Sequence, residues 1–317
     1  MKSILKAGAS TAALLSLIAL ATPSQAADAA DPGCSMHGAV TGGYMYTNGS
    51  VDISGAPPGF FDDGNFDTFF GEGAGLVTCN AWNFQADFAY YSHEFELDVG
   101  KDVDFSAPEG HFGGAVFWRD SGAGALGFSG SIVDNSLEGL IDSDYYRVGV
   151  FGEMYLGDAF TLGASAHYFT GKDLEFADNK EHDGFELTAN MKFYATPNFS
   201  LSLQGDLMLG KLDSDEGDAD FDGFAITGEG EYLVWDEGLS LFAGARYAER
   251  EIKGDGDRLS VDDAQVFVGM SFAFGAPGTS LVNLDRTGPI DNTSTMFEKL
   301  PDVFSEFIAG IDEEAAP

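Results

Sequence analysis

The sequence predicts an all-β chain that closes into an antiparallel transmembrane β-barrel of about twelve strands, followed by a short C-terminal periplasmic extension. Three observations carry that reading. Between residues 36 and 274, apolar residues alternate with polar or small ones in segments of roughly ten to fifteen, the period of a strand with one face in lipid and the other in water. Past the first 26 residues no apolar run is long enough for a spanning helix, so a crossing must be made by strands, which can span a bilayer only as a closed barrel. The connections alternate between very short and long, as in barrels with tight periplasmic turns and larger outer loops.

In chain order, the first element is an export signal. Lys2 and Lys6 precede the apolar run 12–20, which ends in Ser24-Gln25-Ala26, so cleavage is expected after Ala26. Residues 27–35 then lead into a barrel at 36–274, and 275–317 form a tail. Composition narrows the function. The chain carries 15 basic against 52 acidic residues, a net charge of -37 that repels nucleic-acid phosphates and excludes nucleic acid as a partner. Acidic chains poor in apolar residues stay disordered, but 44% hydrophobic residues, with 28 Phe and 11 Tyr, are ample for folding. The 42 glycines suit many strands joined by tight turns.

The twelve expected strands span 36–47, 66–79, 82–96, 109–118, 122–133, 144–156, 160–170, 183–195, 199–212, 221–235, 239–252 and 263–274. The third shows the pattern well: Trp82, Phe84, Ala86, Phe88 and Tyr90 alternate with Asn83, Gln85, Asp87 and Ala89. The eighth and ninth repeat it, and Thr196-Pro197-Asn198 between them reads as a hairpin turn. Long acidic or Gly-rich links (48–65, 97–108, 134–143, 171–182, 213–220, 253–262) take turns with short ones near 80, 120, 158, 197 and 237. A soluble β-sandwich also has many strands, but its strands are shorter and its inner face is dry.

Trp82 begins a strand while Trp118 and Trp235 end others, each beside a short turn, which is where an interfacial aromatic girdle forms. Cys34 precedes the first strand and Cys79 ends the second, so antiparallel pairing brings both to the periplasmic end, where oxidation to a disulfide is expected, two free thiols being the alternative.

The last strand, Val266 to Phe274, ends on an aromatic residue. Here the chain resembles bacterial outer-membrane β-barrel proteins of the porin-like type, in which a terminal Phe commonly serves as an assembly signal. The resemblance implies an outer-membrane location and a channel. The pattern departs in one respect, because about forty residues follow Phe274. After Gly275-Ala276-Pro277-Gly278, the tail places Phe297, Leu300, Phe304, Phe307, Ile308 and Ile311 at helical spacing, predicting an amphipathic helix that docks under the barrel, plugs it or binds a periplasmic partner; a disordered tail is the alternative.

Among chemical motifs, Asp218-x-Asp220-x-Asp222-Gly223 with Glu229 at the twelfth position matches the calcium-loop pattern, although a strand rather than a helix follows. A loop-bound divalent cation at Asp218, Asp220 and Asp222 is the one cofactor this suggests. Gly122-x-Gly124-x-x-Gly127 and the Gly205, Gly210-Lys211 pair resemble nucleotide loops but lack a following helix. No G-x-S-x-G occurs, and the five histidines lack metal-ligand spacing. Ser165 and His167 share a strand face and read as lumen wall rather than as a catalytic pair, so no enzyme is expected.

Alternation places Asn83, Gln85, Asp87, Tyr145, Arg147, Glu153, His167, Glu186, Asn190, Lys192, Gln204, Asp206, Glu229, Glu231 and Arg246 in the lumen, with acid in excess. An acidic surplus favours cations. The expected function is a porin-like channel for passive diffusion of small hydrophilic solutes or cations; the alternative is a non-conducting structural or adhesive barrel. The acidic outer loops are expected to meet lipopolysaccharide phosphates through divalent cations. Oligomeric state is left open by the sequence.

Overall fold

The computed structural model describes residues 34–53, 64–98, 102–137, 141–173, 181–214, 217–253, 258–275 and 280–290. The signal segment lies outside these, as does the predicted helix with Phe297, Leu300, Phe304, Phe307, Ile308 and Ile311. Twelve strands follow one another: β1 (Cys34–Ile53), β2 (Gly64–Cys79), β3 (Trp82–Asp98), β4 (Asp102–Asp120), β5 (Gly124–Leu137), β6 (Ile141–Leu156), β7 (Phe160–Asp173), β8 (Glu181–Thr196), β9 (Phe199–Ser214), β10 (Gly217–Trp235), β11 (Leu239–Lys253) and β12 (Arg258–Phe274). Among the described residues one short helix, α1 (Leu281–Thr287), comes after them. Each strand pairs antiparallel with its sequence neighbours, and β12 returns to β1 from Gly38–Phe274 to Ile53–Leu259. Closure leaves no strand edge with unpaired backbone, the condition for a sheet in lipid.

Residue alternation decides which face looks outward. On β3, Asn83, Gln85, Asp87, Ala89 and Tyr91 are buried inside while Phe84, Phe88 and Tyr90 are exposed outside. The same rule exposes Phe112, Val116, Leu126, Phe128, Val148, Leu187, Leu203, Ile226 and Val268 around the barrel. In water such a belt would be strongly unfavourable; in a bilayer it is the surface a barrel requires.

Aromatic residues mark both interfaces. Trp82 and Trp118 pair directly across β3 and β4 and, with Trp235, are exposed beside the short turns. Toward the other end, outward tyrosine hydroxyls donate to outward carboxylates in Tyr44–Asp67, Tyr168–Asp183 and Tyr247–Asp262. An apolar ring with a wet hydroxyl suits the membrane–water boundary.

The strands run further than their composition suggested. Residues 48–53, 102–108, 134–137, 141–143, 213–214, 217–220 and 258–262, expected in long links, continue the ladder. A membrane strand needs only about 9–11 residues, whereas these have 14 to 20. The excess stands beyond the lipid on the loop side, where backbone pairing continues although the side chains are acidic.

The short turns use backbone conformations suited to their residues. Asn80 adopts φ 57° in the β2–β3 turn, and Gly157 adopts φ 57° between β6 and β7, in the left-handed region that Asn and Gly reach most easily. Cys34 and Cys79 are register partners and form a disulfide with S–S 2.04 Å, tying the start of β1 to the end of β2.

Candidate functional site

Barrels of this kind place short turns in the periplasm, so that end of the lumen is called periplasmic here. The interior is not evenly filled. Nearly all the described inward side chains of β3, β4, β5 and β6 are buried, so this half is packed by its own wall. On β7 to β12, β1 and β2 a band of inward positions stays partly exposed, among them Ser165, Thr188, Asn190, Gln204, Glu229 and Arg246. A buried inward residue bounds the band above on every one of these strands: His167, Glu186, Asp206, Ala225, Ala248, Gln265, Met45 and Thr68. Below it lie the buried Tyr194, Ser200, Leu233, Ser240, His37 and Leu76. The band therefore lines a polar chamber inside the barrel.

The chamber also has an aromatic side. Phe70, Phe242 and Phe267 point inward in a chain of ring contacts, with centroids 6.4 Å and 6.3 Å apart. Further toward the loop side, Phe169 and Phe221 meet at 6.0 Å within an apolar cluster that includes Val133, Met208, Ala225 and Ala248.

The ionic groups of the wall are arranged in local networks. Asn83 accepts from the Thr78 hydroxyl at 2.7 Å, and Asp87 accepts from His111 at 3.2 Å across β3 and β4. Arg147 bridges to Glu186 at 2.9 Å and donates to His167 Nδ1 at 3.0 Å. Asp206 accepts from Thr188 and Gln204 at 2.9 and 3.0 Å, and Glu153 accepts from the Tyr155 hydroxyl at 2.9 Å. Lys192 meets Glu231 at 2.8 Å. Asn190 is exposed within the lumen, Glu229 and Arg246 lie partly exposed on adjoining strands, and the side chain of Tyr145 lies outside the described residues.

His167 shows why hydrogen-bond direction matters. Its Nε2 lies 2.8 Å from Ser129 Oγ of β5, reached across Gly149 of the intervening β6, not against Ser165. An arginine can only donate, so the Arg147 contact requires Nδ1 to be the acceptor and leaves the proton on Nε2. Nε2 then donates to Ser129 and cannot take its proton, the reverse of what a nucleophile–base pair needs.

The calcium-loop residues are drawn out along β10. Asp220 and Asp222 face outward, alternating with the buried Phe221 and Gly223, Asp222 pairs with Lys253 at 3.1 Å, and the Asp218 side chain lies outside the described residues. Glu229 falls on the opposite, inward face of the same strand. Seven residues of strand put it roughly 23 Å from Asp222, too far to share an ion that holds its ligands at about 2.3–2.6 Å. The sequence spacing matched a loop; strand pairing overrode it. Among the described residues, no group of three or more metal-ligating side chains gathers.

The periplasmic end is crossed by residues 280–290. Ser280 caps α1 by accepting from the Asn283 amide at 3.3 Å, and the Leu281 amide donates to Pro197 O at 2.8 Å in the β8–β9 turn. Leu281 packs between Tyr194 and Leu233, with Val282 and Leu284 beside them. The register shifts of β8 and β10 fall at Tyr194/Thr196 and Leu233/Trp235, so irregular pairing re-aims the very side chains that receive the helix. Asp285 then meets Lys192 and the Tyr194 hydroxyl, both at 2.8 Å. Arg286 donates to Gly157 O and Phe160 O, and its guanidinium lies 4.6 Å from the Tyr155 ring. On the far side, Arg119 donates to Gly288 O at 2.7 Å, Gln85 exchanges two hydrogen bonds with Ile290, and Ile290 packs near Leu76, Ala115 and Phe117.

Sequence reading missed this group. Arg119 was placed just past a strand end, and Asp285 and Arg286 lay in the tail between the Gly275–Gly278 loop and the helix expected around Phe297. The available signal was Ser280 followed by Leu281 and Leu284, a cap and an apolar pair at helical spacing.

A closed barrel with an apolar outer belt, interfacial aromatics and a polar interior is an outer-membrane β-barrel, here with its periplasmic end filled by its own C-terminal segment. No protein-family model matches the sequence, and no curated protein matches it. The fold is similar to that of an outer-membrane channel from Pseudomonas putida F1, with TM-score 0.55 and 11% identity over 77% of this chain and 97% of that one. Lower scores relate it to the translocator domain of autotransporter NalP from Neisseria meningitidis (TM-score 0.48, 11% identity, 77% and 90% of the two chains) and to a Pseudomonas aeruginosa FadL homologue (TM-score 0.46, 11% identity, 76% and 90%).

Proposed function

We propose that this barrel is an outer-membrane channel for passive diffusion of small hydrophilic solutes, with a preference for cations, and that it is not an enzyme. The observation that carries the reading is the band of partly exposed polar side chains on β7–β12, β1 and β2, a lined space where a purely structural barrel would be packed throughout. The chamber and its floor hold Glu72, Glu153, Glu229, Glu231 and Asp285 against Arg119, Lys192, Arg246 and Arg286, a small excess of acid that favours cations. The Ser129–His167 arrangement, with its proton on the wrong nitrogen for a base, supports the non-catalytic reading.

Reversal potentials of purified protein in planar bilayers under a salt gradient test selectivity. Cation preference at neutral pH agrees with the proposal, and anion preference refutes it. A second reading, a non-conducting structural or adhesive barrel, is favoured by one observation: the segment 280–290 across the periplasmic end.

A further inference from the structure

A segment that fills a lumen is either a fixed part of the core or a movable stopper. The two differ in what the wall would look like after the segment left. A fixed core contact leaves buried polar groups orphaned on departure, at a cost that is larger still for charges. A stopper does not.

Here Lys192, the Tyr194 hydroxyl and Gln85 Nε2, which grip residues 280–290, have second partners on the wall itself. Lys192, which holds Asp285, is held equally closely by Glu231 at 2.8 Å, and Glu231 in turn accepts from Ser240 at 2.6 Å. Gln85, which clasps Ile290, lies 3.3 Å from Asp87 Oδ1 on its own strand. The Tyr194 hydroxyl, which donates to Asp285, also lies 3.2 Å from Thr161 Oγ1. Arg119 rests 4.9 Å over the Phe117 ring and gives its hydrogen bond to Gly288 O, so on release water at the opened end takes the place of that carbonyl. Arg286 would leave with the segment, and the carbonyls it releases belong to Gly157, exposed in a periplasmic turn, and Phe160 beside that turn, where water replaces it.

The charge count points the same way. Docking places Asp285 on an ammonium already paired with Glu231, so two carboxylates share one lysine. Such sharing weakens each bond relative to an exclusive pair. Burial of Leu281, Leu284 and Ile290 favours the docked state, and the surplus carboxylate opposes it.

We infer that residues 280–290 form a removable plug, held at the periplasmic end by contacts whose wall groups, once it leaves, keep a neighbour on the wall or face the water that replaces it, so that its release opens the chamber on the periplasmic side. The inference rests on the channel reading for its consequence, but not for its test.

Hydrogen exchange on the full chain in detergent micelles follows the plug whether or not the barrel conducts. The amides of Leu284 and Gly288 should exchange at least tenfold faster than mid-strand amides of β8 and β10. Lys192→Met leaves Glu231 and Asp285 together without a cation and should speed plug exchange about tenfold further, with strand amides unchanged; Lys192→Met with Asp285→Asn should reverse most of that. Asp285→Lys, which alters the plug alone and leaves the wall intact, should release it similarly should the Lys192 variant fail to assemble. Plug amides exchanging in step with the strands, or indifferent to both charge changes, would overturn the inference. Fast plug exchange in a barrel that never conducts would uphold the plug and remove the channel reading.

Discussion

At Gly244 and Gly269 the barrel wall has no room for a β-carbon. A carbon added at Gly244 would meet Phe267 Cζ at 2.3 Å and the Gly228 carbonyl oxygen at 2.5 Å; at Gly269 it would meet Phe242 Cζ at 2.3 Å and the Gly42 carbonyl oxygen at 2.7 Å. Each glycine is the register partner of the ring that covers it, so the aromatic side of the chamber depends on both. The rings can swing aside but the carbonyls cannot. Gly244→Ala or Gly269→Ala is therefore expected to destabilise the barrel by about 1–3 kcal/mol, read as a lower urea midpoint for unfolding. Arg147 is a second such point. It pairs with Glu186, which is 0% exposed, so Arg147→Met strands a buried carboxylate and should cost about 3–5 kcal/mol. An unchanged midpoint would mean that water reaches Glu186 once the arginine is gone.

The plug is where charge, packing and pH meet in one element. Burial raises the Asp285 carboxyl above the ordinary carboxylate value, Lys192 pulls it down, and Glu231 pushes it up again. The docked state therefore binds a proton on Asp285 more readily than the released, hydrated segment does. By linkage, acidification through the raised range favours docking, and the contribution is lost as pH rises past it. Open time in bilayer recordings should accordingly fall as pH is lowered from neutral, and Asp285→Asn, already neutral, should flatten that dependence. A rise in open time on acidification would reverse the assigned balance between burial and the lysine. The cystine is the second fastener at this end: it joins β1 to β2 across 45 residues of sequence. Replacing both Cys34 and Cys79 by Ser is expected to lower stability by about 2–5 kcal/mol while leaving the strand order intact by cross-strand NMR contacts.

Across the whole molecule, what was legible in the sequence is what depends on period two. Strand number, inward and outward faces, and the tryptophan rim follow from local alternation, because one face must meet lipid. The outer halves of the strands were hidden, since stretches such as 102–108, with two aspartates and Pro108, have loop composition. They are strands because neighbours already in register carry the ladder upward, which no local window contains. The chamber was hidden for a related reason: alternation tells inward from outward but not which inward side chains touch across a lumen. Lys192 and Asp285 are 93 positions apart and meet only once the barrel has closed. The calcium pattern failed in the opposite sense, a correct spacing in a chain whose pairing straightened it. At the outer rim, carboxylates such as Asp67, Asp183 and Asp262 sit above the tyrosines, and divalent ions bridging them to lipopolysaccharide phosphates would add stability. Chelation should then lower the melting temperature in lipopolysaccharide-containing vesicles and not in detergent.

The proposed cation-preferring lumen, closed from below by residues 280–290, makes gating by that segment directly measurable. Planar-bilayer recording of the full chain beside a chain ending at Phe274, both shown to be folded by heat-modifiable gel mobility, tests it most directly. Brief, infrequent openings are expected of the full chain and a higher, cation-selective open fraction once the segment is removed. A folded, truncated barrel that stays silent would contradict it.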